Sequence, residues 1–180
     1  MSNEPIIIIG GEPNSIFLEI FFKSIKSTKY RNPIIIIISK DLLISQMEKL
    51  GFNYKINLID ENYKDFKKLN NKKINLIDVN YNFKNTFEKI TIKSNDYINN
   101  CFKIALHVLK KNRFSKLING PISKKHFLKN KFLGITEYLA SKTNRDGKVA
   151  MLIYNSKLSV SPITTHLPLK DVHIKISKQK

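Results

Sequence analysis

The chain has 180 residues, 42% of them hydrophobic, and a formal net charge of +18 at pH 7. Its size and apolar content suffice for one globular domain or slightly more, and its longest apolar runs fall far short of the roughly 20 residues that span a membrane. The amino terminus, MSNEP, has no basic region before the first apolar run, so a secretory signal is not indicated. We therefore expect a cytoplasmic globular protein without membrane contact.

The first fifty residues predict alternating strands and helices. Isoleucine runs from Ile6 and Ile34 predict two buried strands. SIFLEIFFKSIK predicts a helix that Ser15 caps, and Asp41 begins a second helix that ends at Gly51. The apolar face of the first helix is expected to contain Ile16, Phe17, Ile20, Phe21 and Ile25. Continuous isoleucine runs indicate strands covered on both faces, so the predicted fold class is α/β, with three α/β/α layers around a mixed, mainly parallel sheet.

The middle of the chain predicts a variable region followed by a long helix. Residues 52–93 are rich in lysine and asparagine and predict short strands and loops, including a repeated INLID whose brevity carries no structural conclusion. From Ser94, apolar residues recur at helical spacing. The single cysteine, Cys101, is among them and is expected to be buried and inert. His107 on this helix is expected to be a partly exposed structural histidine.

The last third predicts a short strand from Lys116, a turn at residues 119–121 and a helix from about Ser123. Two more strands, from Val149 and Lys157, predict an antiparallel hairpin inside the mixed sheet. A final amphipathic helix is predicted after Pro168. Because that helix has only a dozen residues left, the ending is interpreted as a truncation.

The positive charge would by itself suggest a nucleic-acid partner. The basic residues, however, are mostly lysines spread from Lys23 to Lys180, with an equally diffuse excess of asparagine and isoleucine, as in coding sequence rich in A and T. The chain has no arginine cluster, zinc-finger spacing or glycine-aromatic RNA-binding signature. A solvated basic surface is therefore favoured over nucleic-acid binding, and part of its charge can attract an anionic substrate.

Four segments couple a backbone-shaping residue to a polar one: GEPNSIFLEI from Gly11, NGPISK from Asn119, GITEYLA from Gly134 and TTHLPLKDV from Thr164. In this order and spacing they resemble the 4-hydroxythreonine-4-phosphate dehydrogenase (PdxA) family. The resemblance covers nearly the whole chain but only the amino-terminal half of such an enzyme. It implies an isocitrate/isopropylmalate dehydrogenase-like fold, truncated, in which residues 1–115 form a first α/β part and residues 116–180 begin the substrate- and metal-binding part. The NAD-binding carboxy-terminal half would be absent.

His166 is the candidate metal ligand. It stands where a strand gives way to a loop, before Pro168, and such strand ends bind ligands in α/β proteins. A neutral imidazole suits a divalent metal, although the segment alone favours a structural histidine. The resemblance implies instead that His166 is one of three ligands of zinc, magnesium or cobalt. The other two belong to the absent half, and His173 does not match them.

The substrate contacts are candidates from two further segments. The resemblance implies that Thr136 binds substrate, and Glu137 is expected to brace the following helix. The family has histidine where Ile135 stands, so one substrate contact is lost or replaced. Lys124 either places an ammonium group near an anionic ligand or is simply solvated. In the first loop, the family pattern GEPAGIGPE has lost two glycines and a proline to serine, phenylalanine and leucine at positions 15, 17 and 18.

The resemblance implies an NAD-dependent oxidation of 4-phosphooxy-L-threonine, followed by decarboxylation to 3-amino-2-oxopropyl phosphate, in pyridoxal phosphate synthesis. It also implies a divalent cation, a homodimer and an NAD site without the GxGxxG pattern, which this chain indeed lacks. The alternatives are a truncated or degenerate non-catalytic paralogue, and a related dehydrogenase for another phosphorylated hydroxy acid. The 180-residue chain alone is not expected to turn over.

Overall fold

A computed structural model describes residues 4–129, 131–164 and 167–176 of the chain. The fold divides into two compact units, Met1–Phe127 and Leu128–Lys180. The first unit contains strands β1 to β5 and helices α1 to α3. The strands are β1 (Ile6–Ile9), β2 (Ile34–Ile38), β3 (Ile56–Ile59), β4 (Ile74–Asp78) and β5 (Leu117–Asn119). The helices are α1 (Phe17–Ser27), α2 (Lys40–Lys49) and α3 (Asn95–Asn112).

The described sheet of the first unit has the order β3-β4-β2-β1-β5, and all its neighbouring strands are parallel. The two INLID segments, which gave no structural conclusion in the sequence, become the neighbours β3 and β4. They pair in register, with Ile56 opposite Ile74 and Asn57 opposite Asn75. The Asn57 amide donates to Asn75 Oδ1 at 3.0 Å. The repeat therefore encodes two adjacent strands of one sheet.

Helices cover both faces of this sheet. Every residue of β2 is buried, which requires a layer on each side because successive side chains of a strand point to opposite faces. Helix α3 packs on β1 and β2, and α1 packs beside α2. The predicted three-layer α/β/α fold class is confirmed. Strand β5 pairs with β1 and joins the first sheet, and the division between the two units lies after Phe127.

The buried face of α1 differs from the predicted one. Leu18, Phe21 and Phe22 are buried, whereas Ile16 and Ile20 are 65% and 53% exposed. The apolar face of this helix also includes Leu18 and Phe22, which the predicted face left out, so the buried stripe is rotated away from Ile16 and Ile20. The Ser15 hydroxyl accepts from the amide of Phe17 at 3.3 Å, as expected for a residue at the helix start, but the cap position itself belongs to Ile16.

Helix α3 matches its sequence prediction closely. Of the six positions predicted from helical spacing, Leu109 is half-buried and the other five are buried, namely Ile98, Cys101, Phe102, Ala105 and Val108. Burial raises the pKa of the Cys101 thiol to about 12, so at neutral pH it stays protonated and unreactive, as expected. His107 lies on the exposed side of the helix.

The second unit contains α4 (Ile135–Lys142), β6 (Ile153–Tyr154), β7 (Ser159–Val160) and α5 (Val172–Lys175). Strands β6 and β7 form the predicted antiparallel hairpin, with Ile153 opposite Val160. The hairpin was expected inside a mixed sheet, but it is a separate two-stranded sheet. Its strands are two residues each and exposed. No helix among the described residues is long and apolar enough to cross a membrane.

Candidate active site

Two of the four motifs meet at one edge of the first sheet. The chain passes from β1 to β2 on one side and later returns to β5 on the other, so the order of strands reverses at β1. Ligands of open α/β sheets bind at the carboxyl ends of the strands beside such a reversal. The GEP loop follows β1 and the NGP turn follows β5. The amide of Glu12 donates to Pro121 O at 2.8 Å, and the amide of Gly120 donates to Ile9 O at 2.7 Å.

Glycine allows these two loops to touch through their backbones. Gly11 has φ +72°, and a Cβ atom added there would lie 2.5 Å from Pro121 O. A Cβ atom on Gly120 would lie 2.2 Å from Gly10 O. Any side chain at these positions would therefore push the loops apart. The glycines therefore serve contact between the loops themselves.

The acidic residue of the GEP loop is buried. Glu12 is 2% exposed, and its Oε1 accepts a hydrogen bond from Ser94 Oγ at 2.6 Å. Among the described residues, its Oε2 has no hydrogen-bond partner. Burial raises the pKa of Glu12, and the Ser94 hydrogen bond and the nearby His126 oppose that rise in part. The carboxyl group therefore holds a proton more readily than an exposed glutamate.

Neighbouring elements fix the same loop and turn. Gln46, from α2, donates to Pro13 O at 2.8 Å, and Asn14 Oδ1 accepts from the amide of Glu88 at 3.1 Å. On the other side, Asn95 donates to His126 O at 2.8 Å. Ser94, the cap residue of α3, thus reaches the GEP loop, and Asn95, its first residue, reaches the helical turn that follows NGP.

Lys124 begins that turn, a single π-helical turn from Lys124 to Leu128. Ser123 starts it as predicted: its hydroxyl accepts from the amide of His126 at 3.2 Å. The Lys124 side chain is exposed. Its position next to NGP suits an anionic ligand, and its exposure equally suits a solvated lysine.

The other two motifs meet in the second unit. A cleft of about 780 Å³ is lined by Thr136 and Glu137 from α4 and by Thr164 and Leu167 from the TTHLP segment. Such a volume is typical of a small-molecule site. Thr136 is half-buried in the first turn of α4, where backbone amides favour an anionic group. The structure therefore brings GITE and TTHLP together around one cleft.

Glu137 braces the start of α4. Gly134 is the cap residue, and Glu137 stands in the first turn after it. A Cβ atom added to Gly134 would lie 3.1 Å from Glu137 Oε2, so the carboxylate folds back against the cap. A negative charge there is favourable at a helix amino terminus. Ile135, which replaces the family histidine, is the first residue of α4 and is half-buried.

The candidate metal ligand is in the TTHLP segment. His166 and Thr165 lie outside the described residues. Within residues 4–129, 131–164 and 167–176, no group of three or more His, Cys, Asp or Glu side chains could hold a metal ion. His166 as a metal ligand stays a prediction, and so do the substrate contacts of Thr136 and Lys124.

Sequence reasoning missed the partners of Glu12. It retained Glu12 as part of a family motif but assigned no role to Ser94, which bonds Glu12, or to the nearby His126. The available signal was positional: Glu12 closely follows a buried strand, and Ser94 precedes a long amphipathic helix. Residues at those two places commonly meet at the edge of a parallel sheet. Their separation of 82 positions in the sequence concealed the contact.

The parallel sheet and the reversal of strand order at β1 define an α/β protein of the class that binds ligands at the carboxyl ends of its strands. The family model described as "Pyridoxal phosphate biosynthetic protein PdxA" matches residues 29–180. The chain therefore belongs to the PdxA family.

Curated relatives and solved structures agree with that assignment. The chain is 30% identical over 172 residues to 4-hydroxythreonine-4-phosphate dehydrogenase of Wigglesworthia glossinidia brevipalpis, covering 93% of this chain and 50% of that protein. It is 32% identical to the Sulfurihydrogenibium enzyme of the same name, covering 94% and 52%. The chain spans about half the length of these relatives.

The fold matches crystal structures bearing the same name. The chain superposes on a 4-hydroxythreonine-4-phosphate dehydrogenase from Burkholderia phymatum with a TM-score of 0.78 and 22% identity, covering 98% of this chain and 54% of that one. A putative enzyme of the same name from Salmonella typhimurium gives 0.74 and 22%, covering 97% and 55%. At this identity the likeness confirms the fold.

Proposed function

We propose that this chain provides the substrate-binding half of a 4-hydroxythreonine-4-phosphate dehydrogenase. The reaction is the NAD-dependent oxidation of 4-phosphooxy-L-threonine, with decarboxylation to 3-amino-2-oxopropyl phosphate, in pyridoxal phosphate synthesis. The observation that carries the proposal is the cleft shared by Thr136 and Thr164, because it joins two segments that resemble family site motifs. The names of the curated relatives support the reaction.

The proposed work of this chain is to bind and orient the substrate. The Thr136 hydroxyl donates to a phosphate or hydroxyl oxygen of the substrate, and the first-turn amides of α4 favour the same negative charge. Lys124, at the NGP turn of the first unit, places an ammonium group where it can attract an anionic ligand. The net charge of +18 raises the encounter rate of a phosphorylated substrate.

The described residues do not by themselves fit a complete metal site, since no three suitable side chains converge. They also show no glycine-rich dinucleotide fingerprint. The roles proposed for the described residues therefore involve neither a metal ion nor NAD. Both belong to the proposed whole enzyme, in which His166 contributes one metal ligand.

Substrate binding tests the proposal. We expect calorimetry to detect binding of 4-phosphooxy-L-threonine to this chain, and Thr136→Val to weaken it about tenfold, because valine keeps the shape but loses the donor. Thr143→Val is the matched control: Thr143 stands beyond the other end of α4 and its hydroxyl bonds Leu139 O at 2.8 Å. Equal binding by wild type and Thr136→Val would contradict the assigned contact.

Metal titration tests the role of His166. We expect weak or no zinc or magnesium binding by the 180-residue chain, and no NADH formation from 4-phosphooxy-L-threonine, because one histidine cannot hold a divalent ion tightly. Titration of wild type and His166→Ala by calorimetry measures this. Tight stoichiometric binding that His166→Ala abolishes would contradict the expectation and reveal ligands that the sequence did not identify.

The second candidate function is a non-catalytic paralogue. Ile135 favours it, because an isoleucine neither donates to a phosphate nor accepts a proton. On this alternative the calorimetric experiment shows no binding of 4-phosphooxy-L-threonine to the wild type. Altered specificity for another phosphorylated hydroxy acid would instead appear as binding of that compound alone.

We also propose that the protein forms a homodimer, as the family resemblance implies, and that it is cytoplasmic. The hairpin of the second unit supports association, because Leu152, Ile153, Tyr154 and Leu158 are each at least 60% exposed. Exposed apolar clusters of this kind mark interaction surfaces.

A further inference from the structure

A second pocket lies at the edge of the first sheet opposite to the GEP and NGP loops. Its volume is about 440 Å³, within the range of small-molecule sites. Ile34 and Ile74, the first residues of β2 and β4, line it, together with residues from the end of α1. Because these strands are parallel, their amino ends lie together, away from the carboxyl ends where the proposed function places ligands.

The floor of this pocket is apolar and partly aromatic. Besides the two isoleucines, Phe21, Ile25 and Tyr54 line it. The polar groups near the floor already have partners within the chain. The Tyr54 hydroxyl donates to Phe22 O at 3.4 Å. The side-chain amide of Asn75 donates to Ile34 O at 3.0 Å. The floor therefore offers contact to a ring rather than free hydrogen-bonding groups.

The rim of the pocket is basic. Lys29, Lys72 and Lys73 line it and are exposed, and none of its described lining residues is acidic. Both ion pairs found among the described residues involve other lysines. In contrast, a cleft of about 700 Å³ at the carboxyl ends of β3 and β4 mixes Asp60, Glu61 and Asp78 with Lys103 and His107. Its lining is therefore more positive than that of the cleft at the carboxyl ends of β3 and β4.

We propose that this pocket binds a small aromatic ring carrying a phosphate group, with the ring on the apolar floor and the phosphate at the three lysines. Lysine ammonium groups bind phosphate as point charges, and a volume of this size accommodates a single substituted ring. The PdxA family is described as pyridoxal phosphate biosynthetic, so a phosphorylated pyridine ring is the matching compound. The proposal rests on that membership and on the pocket, and does not require the dehydrogenase activity.

Pyridoxine 5′-phosphate is the suitable probe, since it lacks the aldehyde that would react with lysines generally. We expect calorimetry to show one binding site, with binding weakened at least about tenfold by Lys72→Gln/Lys73→Gln. Lys64→Gln/Lys110→Gln is the matched control, because it removes the same charge from exposed residues away from the pocket. Pyridoxine and inorganic phosphate, each carrying half of the probe, are expected to bind at least about tenfold more weakly than the probe.

Three outcomes would overturn the proposal: no binding of the probe, equal weakening by both double variants, or phosphate binding as tightly as the probe. The last two would indicate diffuse attraction of anions by the lysine-rich surface. Thr136→Val should leave binding of the probe unchanged, because Thr136 is not among the described residues that line this pocket. Binding of the probe by a wild-type chain that does not bind 4-phosphooxy-L-threonine would contradict the proposed function and leave this pocket supported.

Discussion

Gly11→Ala is expected to lower the free energy of unfolding by about 3 kcal/mol, a large part of the stability of a domain of this size. Two costs add. Alanine is strained at φ +72°, and its Cβ atom would lie 2.5 Å from Pro121 O and 2.8 Å from the carbonyl carbon of Gly120. These neighbours are backbone atoms, so relief requires the GEP loop and the NGP turn to separate. Urea unfolding followed by circular dichroism measures the effect.

Gly51→Ala separates the two costs. Gly51 has φ +71°, almost the same as Gly11, but a Cβ atom added there meets nothing within 4 Å. Only the backbone strain remains, so we expect a loss of about 1 kcal/mol. The difference between the two variants measures the contact between the loops. Equal losses would show that the GEP and NGP loops are not held together as described.

The sequence predicted strands β1 and β2 of the first sheet and helix α3 because their patterns are local and strong. The isoleucine run Ile34–Ile38 has no polar interruption and became the fully buried β2. Helix α3 has its apolar residues on one stripe, so five predicted core positions were confirmed. The prediction of the buried face of α1 was wrong for Ile16 and Ile20, because it left out Leu18 and Phe22. The true apolar face is rotated toward these two residues, so an error of part of a turn changed which side chains were expected in the core.

The site could be predicted only as separate motifs. The sequence identified GEP, NGP, GITE and TTHLP, but their pairing depends on strand order, which no local pattern encodes. The pairing of GEP with NGP arises because β5 lies beside β1 despite 107 residues between Ile9 and Leu117. The contact of Ser94 with Glu12 likewise depends on where α3 packs. Family resemblance supplied the roles of Thr136 and His166, and chemistry alone left both open.

The hydrogen bond from Ser94 to Glu12 is expected to stabilise the folded chain. Ser94→Ala is expected to destabilise the chain by about 2 kcal/mol at pH 7, because it removes a donor from a buried carboxylate. Ser27→Ala is the matched control. Its exposed hydroxyl donates to Ser24 O at 3.1 Å, so its removal should change the free energy of unfolding by less than about 0.5 kcal/mol.

The pH dependence of this effect identifies Glu12 as its cause. Burial raises the folded-state pKa of Glu12 above the ordinary value of 4.5. Between the unfolded-state and folded-state pKa values, the native chain therefore keeps a proton that the unfolded chain has released. The stability contributed by the neutral carboxyl is complete below the unfolded pKa and is lost as the pH rises through the folded pKa. Ser94→Ala removes a contact that lowers this pKa, so its cost should grow from about 1 kcal/mol at pH 4 to about 2 kcal/mol at pH 7. In a Glu12→Gln background the side chain has no charge to gain, and the cost of Ser94→Ala should no longer depend on pH. A cost that rises equally with pH in both backgrounds would assign the effect to another group, because only Glu12 differs between them.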